Sequence, residues 1–290
     1  MYRPALRTLA ALSFLLLVPQ LDAQEVGPSN GSLVIVGGAM RDPGIMERFL
    51  NLAGGPNAPI VVIPTAGGKD EYDQFYQGLN SWRNMGATHL TVLHTNDRTE
   101  ADSDEFVKAI REANGVWFPG GRQWRLADSY LGTRTAEELW NLLERGGVIG
   151  GSSAGATIQG SYLARGDTRT NTIMMGDHEE GFGFLKNTAI DQHVLKRNRQ
   201  FDLIEVIRAR PELLGIAIDE NTAIVVQGDD VEVIGQSYVL IYDNQRTIGE
   251  SGLFYMLAPG DEFNLATREA QRPSRSLAPI GVTQVKPWAR

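Results

Sequence analysis

The sequence predicts a three-layer α/β fold, a doubly wound and mainly parallel sheet with helices on both faces and an antiparallel β extension towards its C-terminal end. Three observations predict it. Short unbroken apolar runs at 33–36, 60–63, 116–118 and 148–149 alternate with amphipathic stretches, which is how strands buried on both faces read. Gly-rich turns (Gly37-Gly38, Ala66-Gly67-Gly68, Gly120-Gly121 and Gly151) follow those runs, at the strand ends where parallel sheets carry function. Beyond residue 215 the apolar runs crowd together with no helical stretch between them.

Taken in order, the chain starts with Arg3 and Arg7, an apolar run at 9–18 and a small residue at Ala23. That is a secretory leader, 1–23, too short to span a membrane, and it places the mature chain outside the cytoplasm. A strand at 32–36 leads to a helix over 45–52 behind Pro43, and the run 59–63 is the second strand. A helix is predicted over 72–85, a strand over 89–93 and a helix over 102–112. The strand 116–118 precedes helical spacing from Trp124 and again over 135–144, and the fifth strand occupies 148–151. Closely spaced strands follow at 216–218, 222–226, 231–234, 238–242 and 253–257. One domain over 24–269 accounts for all of these, leaving 270–290 as a polar, loosely held tail with Pro273 and Pro279.

Composition excludes several classes. With no cysteine there is no disulfide framework, thiolate nucleophile or Cys metal site. The formal charge of −8 becomes −9 once Arg3, Arg7 and Asp22 leave with the leader, which argues against nucleic acid as a partner. Gly37-Gly38 is not followed by the rest of a dinucleotide fingerprint. The chemistry below requires neither metal nor organic cofactor, no membrane contact is expected after leader removal, and a homodimer is compatible with the composition.

The richest segment is Gly147-Val148-Ile149-Gly150-Gly151-Ser152-Ser153-Ala154-Gly155-Ala156. An apolar strand running into Gly151-x-Ser153-x-Gly155 and out into a helix start has the form of a nucleophile elbow. A serine needs a base, and the base needs an orienting acid. Of four histidines, His193 ends an apolar run and is the preferred base, with His178 in reserve. The acid is Asp219 or Glu220, which end another run and point to opposite sides, and position alone does not choose between them; Asp191 is a third candidate, but two residues before His193 it reads rather as a substrate ligand. Oxyanion donors are the N–H of Ala154 and that of Gly120 or Gly121. Lys196-Arg197-Asn198-Arg199 reads either as a solvated helix start or as a carboxylate clamp. A non-catalytic binding protein is the competitor from another class.

These residues together resemble the cyanophycinase and aspartyl dipeptidase (peptidase E) family of serine peptidases. The resemblance runs from about Gly31 to Leu265 and is carried by the elbow, Asp191-Gln192-His193, Ile218-Asp219-Glu220-Asn221-Thr222-Ala223 and Gly120-Gly121-Arg122-Gln123. It implies a fold like that of class I glutamine amidotransferases, with Ser153 as nucleophile, His193 as base and Glu220 as acid. It further implies that Gln123, Asp191, Gln192, Arg197 and Arg199 line the substrate pocket. The paired arginines favour a cyanophycinase releasing β-Asp-Arg from a poly-aspartate polymer over a dipeptidase acting on short aspartyl or isoaspartyl peptides. Two departures touch specificity: Arg122 stands where the family commonly has Asn or Asp, and Gln200-Phe201-Asp202 stands where a further basic residue is usual.

Overall fold

A computed structural model of the chain describes residues 25–245 and 252–273. The leader expected at 1–23 and positions 274–290 of the expected tail lie outside the described residues. Two sheets organise the fold, each with a parallel part and an antiparallel part.

The first sheet is built around β1 (Ser32–Val36), β2 (Pro59–Val62), β3 (His89–Val92), β4 (Gly115–Phe118) and β5 (Val148–Ser152), parallel in the order β1-β5-β4-β2-β3. The helices between them are α1 (Pro43–Leu52), α2 (Asn80–Asn84), α3 (Arg98–Ala101), α4 (Asp104–Glu112), α5 (Gln123–Tyr130) and α6 (Arg134–Glu144). Beyond β5 come α7 (Ala154–Thr157), β6 (Gly160–Tyr162), β7 (Leu185–Gln192), α8 (Leu203–Ala209) and β8 (Leu214–Ile218). The C-terminal strands are β9 (Thr222–Gln227), β10 (Asp230–Gly235), β11 (Val239–Tyr242), β12 (Tyr255–Leu257), β13 (Glu262–Asn264) and β14 (Glu269–Gln271).

The antiparallel extension expected at the C-terminal end is divided between the sheets. β9, β10, β13 and β14 add to the β1 edge of the first sheet. The second sheet runs β12-β11-β8-β7-β6, with β6, β7 and β8 parallel and β11 and β12 antiparallel.

Alternation along the strands sends side chains to different layers. In β1, Val34 and Val36 join Phe49, Trp82 and Trp117 under α1 and α2. Leu33 and Ile35 face the other way, into a cluster shared by Val107, Leu126 and Leu139 with Ile216 and Ile218 of β8. One face of the first sheet is therefore covered jointly by α4–α6 and the second sheet. Leu203, Val206 and Ile207 of α8 close the outer side of the second sheet over Ala217 and Leu240. Among the described residues no helix is long and apolar enough to cross a membrane.

Two predicted helices differ. The segment 72–85 is helical only as a 3-10 turn at Gln77–Leu79 and the short α2. Its first part is diverted because Gln74 completes the open edge of β3: its Nε2 donates to Val92 O and its Oε1 accepts from Val92 N, both at 2.9 Å. The predicted helix 102–112 starts instead at Asp104, capped by Ser103 Oγ accepting from Phe106 N at 3.2 Å, with the separate turn α3 before it.

Candidate active site

Parallel pairing delivers the site residues in two groups. Val36 pairs with Ser152 and Gly151 with Phe118, so Gly37-Gly38, Ser153 and Gly120-Gly121 leave the first sheet at one edge. Gln192 pairs with Ile218, so His193 and Asp219-Glu220 leave the second sheet side by side. Gly37-Gly38 joins the groups. His193 N donates to Gly37 O at 2.9 Å, Asn221 N to Gly38 O at 2.8 Å and Ser153 N to Val36 O at 3.0 Å. Gly38 packs flat under the imidazole, where a Cβ would stand 2.1 Å from the His193 ring.

Ser153 is a strand-to-helix elbow with φ 58° and ψ −111°. For a residue with a side chain that left-handed conformation costs on the order of 1–3 kcal/mol and is retained where the surroundings enforce it. They do so here by crowding: a Cβ on Gly151 would sit 2.3 Å from Gly155 O, and one on Gly155 would sit 2.0 Å from Phe118 O. His193 and Asn221 also have positive φ, 55° each, so strained backbone marks all three walls of the site.

Ser153 Oγ lies 2.9 Å from His193 Nε2, and His193 Nδ1 lies 2.8 Å from Glu220 Oε1. Because Glu220 accepts at Nδ1, the neutral ring carries its proton there and presents a lone pair to the serine hydroxyl. His193 is 6% exposed, and burial holds its pKa below the ordinary histidine value. Glu220 works against burial, while Arg197 and Arg199 reinforce it. The balance favours the neutral ring, the form a general base requires.

Asp219 and Glu220 differ in what they touch, Glu220 meeting the His193 ring. Asp219 Oδ1 accepts from Leu195 N and Lys196 N (3.0 and 2.8 Å) and its Oδ2 accepts from Ser237 Oγ (2.6 Å), so it anchors the turn after the histidine. Ala154 opens α7 next to Ser153, where its N–H has no intrahelical acceptor. Gly120 lies against the serine, a Cβ on it falling 3.7 Å from Oγ. Gly121 faces Ala66 instead, a Cβ there falling 2.0 Å from Ala66 O.

The residues expected to line the pocket separate. Arg197 is exposed and Arg199 half-buried, both on a turn rather than a helix, and Gln192 is buried beside them. Arg199 Nη1 makes two long contacts to Gln192, 3.5 Å to O and 3.4 Å to Oε1. Asp191 and Gln123 are committed elsewhere. Asp191 is 0% exposed and its two oxygens accept from Arg165 Nε and Nη2 at 2.7 and 2.9 Å. Gln123 Nε2 donates to the carbonyls of Ala164 and Arg165 (2.7 and 3.0 Å). A buried arginine and two buried carbonyls take up the Asp191 carboxylate and the Gln123 amide nitrogen.

The reserve base His178 is held apart from this group, its Nε2 2.7 Å from Asp128 Oδ1 and its Nδ1 3.0 Å from Asp177 Oδ1. Arg122 donates through Nη2 to Asp167 O and so ties the irregular 163–184 segment to the Gly120-Gly121 turn. The sequence reading missed Arg165, which stands in no periodic pattern or motif, and the contact between Gly38 and His193, which joins residues far apart in the chain. A separate cleft of about 900 Å³ lies at the ends of β2 and β3, lined by Tyr72, Phe75, Tyr76, Asp97 and Glu100 among others, and none of its lining residues belongs to the serine cluster.

Comparison with known proteins matches residues 33–234 to the model of Peptidase family S51. The cyanophycinase of Geminocystis herdmanii is 30% identical over 266 residues, covering 83% of this chain and 96% of that protein. The cyanophycinase of Synechococcus elongatus is 29% identical over 267 residues, covering 83% and 81%. Among solved structures, a peptidase from an acI-B1 Actinobacterium superposes with a TM-score of 0.62 at 24% identity, over 82% of this chain and 98% of its own. A putative peptidase E protein from Listeria monocytogenes gives 0.52 at 17% identity, over 71% and 99%. At these identities the two structures speak to the fold alone.

Proposed function

The chain belongs to peptidase family S51 and is a serine peptidase, and from that premise we propose that it is an exported exopeptidase that hydrolyses cyanophycin, an arginyl poly-aspartate, to β-Asp-Arg dipeptides. The observation that carries the reading is the continuous Ser153–His193–Glu220 hydrogen-bond chain, 2.9 and 2.8 Å long in its two links, beside the cationic turn of Arg197 and Arg199.

In this mechanism His193 Nε2 takes the Ser153 hydroxyl proton as Oγ attacks the backbone carbonyl that joins one aspartate of the polymer to the next, leaving the side-chain link to arginine intact. Glu220 holds the ring tautomer and offsets the imidazolium charge that forms. The N–H groups of Ala154 and Gly120 accommodate the oxyanion, each worth about 3–4 kcal/mol of barrier. The imidazolium protonates the departing amine, and water then resolves the acyl-enzyme with His193 again as base. Arg199 and Arg197 grip a substrate carboxylate, Arg by its planar fork, which selects acidic residues at the cleaved end.

The names of the relatives support the polymer substrate, and the leader read at 1–23 supports export. A dipeptidase acting on short aspartyl peptides is the second reading. It is favoured by Asp202, which ends the Gln200-Phe201-Asp202 stretch without a basic residue and lies 2.7 Å from Arg165. To test the proposal, residues 24–290 and the Ser153→Ala variant are each incubated with cyanophycin and the soluble products identified by mass spectrometry. β-Asp-Arg from the first alone supports the reading. No product from either removes the polymer, and hydrolysis of short aspartyl peptides by the same preparation would then support the second reading.

A further inference from the structure

Beside the serine cluster lies a second group of charges that the mechanism above does not use. Arg165, in the irregular segment after β6, is 1% exposed and makes four hydrogen bonds through its guanidinium. Nε and Nη2 grip the two oxygens of Asp191, Nη2 also reaches Asp202 Oδ2 at 2.7 Å, and Nη1 donates to Asn171 O at 3.0 Å. Its main chain is held as firmly, with N donating to Met174 O and O accepting from Gln123. Its φ of 58° is left-handed, which a residue with a side chain adopts when its surroundings require it.

Asp191 and Asp202 flank Arg199 along the chain and in space. Asp191 Oδ1 accepts from Gln192 N at 2.8 Å, and Gln192 is the residue that Arg199 touches. Asp202 N donates to Arg199 O at 3.0 Å, and the Asp202 side chain is 40% exposed. Arg199 therefore stands within the field of two carboxylates and pairs with neither. Burial and the positive charge of Arg165 push its pKa down, while the two carboxylates act in the opposite sense.

A guanidinium has five donor N–H groups, and a carboxylate already saturated by one fork is a weak acceptor for another. Two cations and two anions in one pocket can pair in more than one way. The geometry points to Arg165 as a positioning residue that engages Asp191 and Asp202 so that the Arg199 guanidinium stays free for a carboxylate of the substrate. Without Arg165 both acids lose their partner while Arg199 stands within electrostatic reach of each; it would turn inward to them, and the cleft would have one cation fewer to offer an anionic ligand. This inference rests on the proposed role of Arg199 and assigns Arg165 a role in substrate affinity rather than in bond cleavage.

The test reads Arg199 directly. The full chain is treated with phenylglyoxal, which modifies accessible, unpaired guanidinium groups, and the modification of Arg199 is followed by peptide mass mapping with exposed Arg197 as the internal reference. In Arg165→Met, Arg199 modification is expected to slow at least fivefold relative to Arg197. KM for an aspartyl substrate is expected to rise about tenfold or more, with kcat changed less than threefold. The neutral combination Arg165→Met, Asp191→Asn, Asp202→Asn removes the acids that would capture Arg199, and it should return both Arg199 reactivity and KM towards the parent values. That combination removes the buried arginine together with both acids it pairs, and it serves equally where Arg165→Met alone fails to fold.

Unchanged Arg199 reactivity in folded Arg165→Met would overturn the inference. So would a triple variant with Arg199 as unreactive as in the single variant, since that would mean Arg165 matters for packing and not for charge. If the parent enzyme cleaves no aspartyl substrate while the reactivity pattern holds, the proposed substrate fails and the pairing of charges stands.

Discussion

His193 and His178 are each hydrogen-bonded to a carboxylate, yet their surroundings drive them in opposite directions. Burial, helped by Arg197 and Arg199, holds His193 below its ordinary pKa although Glu220 opposes this. At His178 burial is outweighed by Asp177 and Asp128, and its pKa is raised. One ring is a neutral acceptor facing a serine hydroxyl. The other favours the imidazolium and ties the 163–184 segment to α5. An acidic partner therefore does not mark a catalytic histidine. Under the proposed mechanism, the base is marked by the sum of burial and neighbouring charge, together with a serine hydroxyl at its other ring nitrogen.

The largest test of that contrast removes each group in turn. Ser153→Ala and His193→Ala are expected to lower kcat/KM by about 10³-fold or more, as for residues that act as a unit. His178→Ala and Ser152→Ala should stay within about threefold of the parent. A loss at His178 matching that at His193 would erase the distinction drawn here.

Glu220→Gln comes next, with an expected loss of about 10²-fold in kcat, the lower end of what general-base assistance supplies. Glu220 raises the pKa of His193, so its removal should also move the acid limb of the pH–rate profile to lower pH. Arg197→Met works in the other sense. Arg197 lowers that pKa, so its loss raises it, and because the unprotonated ring is the active form the acid limb should move to higher pH. A shift in the same direction for both variants would contradict the charge assignment around His193.

The smallest effect is on stability. His178 has a raised folded-state pKa, so its contribution is complete below the ordinary histidine pKa and is lost as pH rises through the folded value. His178→Gln should therefore cost more stability at pH 5.5 than at pH 9, by under about 1 kcal/mol for a partly exposed pair. Denaturant midpoints at the two pH values measure it.

The elbow was legible because its requirements are local. The apolar run of β5 and the glycines around Ser153 are consecutive in the chain, and the same close packing that demands small residues spells them out. His193 and Glu220 were legible as polar residues ending apolar runs, though nothing local told Glu220 from Asp219. That distinction depends on Asp219 meeting the backbone of 195–196. Less legible was the division into two sheets, since β8 looks like any other apolar run until β7 pairs with it. The segment 72–85 misled because Gln74 serves a strand edge rather than a helix. Arg165 was invisible for a related reason: its partners lie 26 and 37 residues away, and only the folded chain brings them together.

The central claim is that His193 activates Ser153, and a fluorophosphonate probe followed by peptide mass mapping tests it most directly. The adduct is expected on Ser153 in the parent protein, with its formation slowed at least 100-fold in His193→Ala and unaffected in His178→Ala. Labelling of Ser152, or labelling of Ser153 at the same rate without His193, would contradict it.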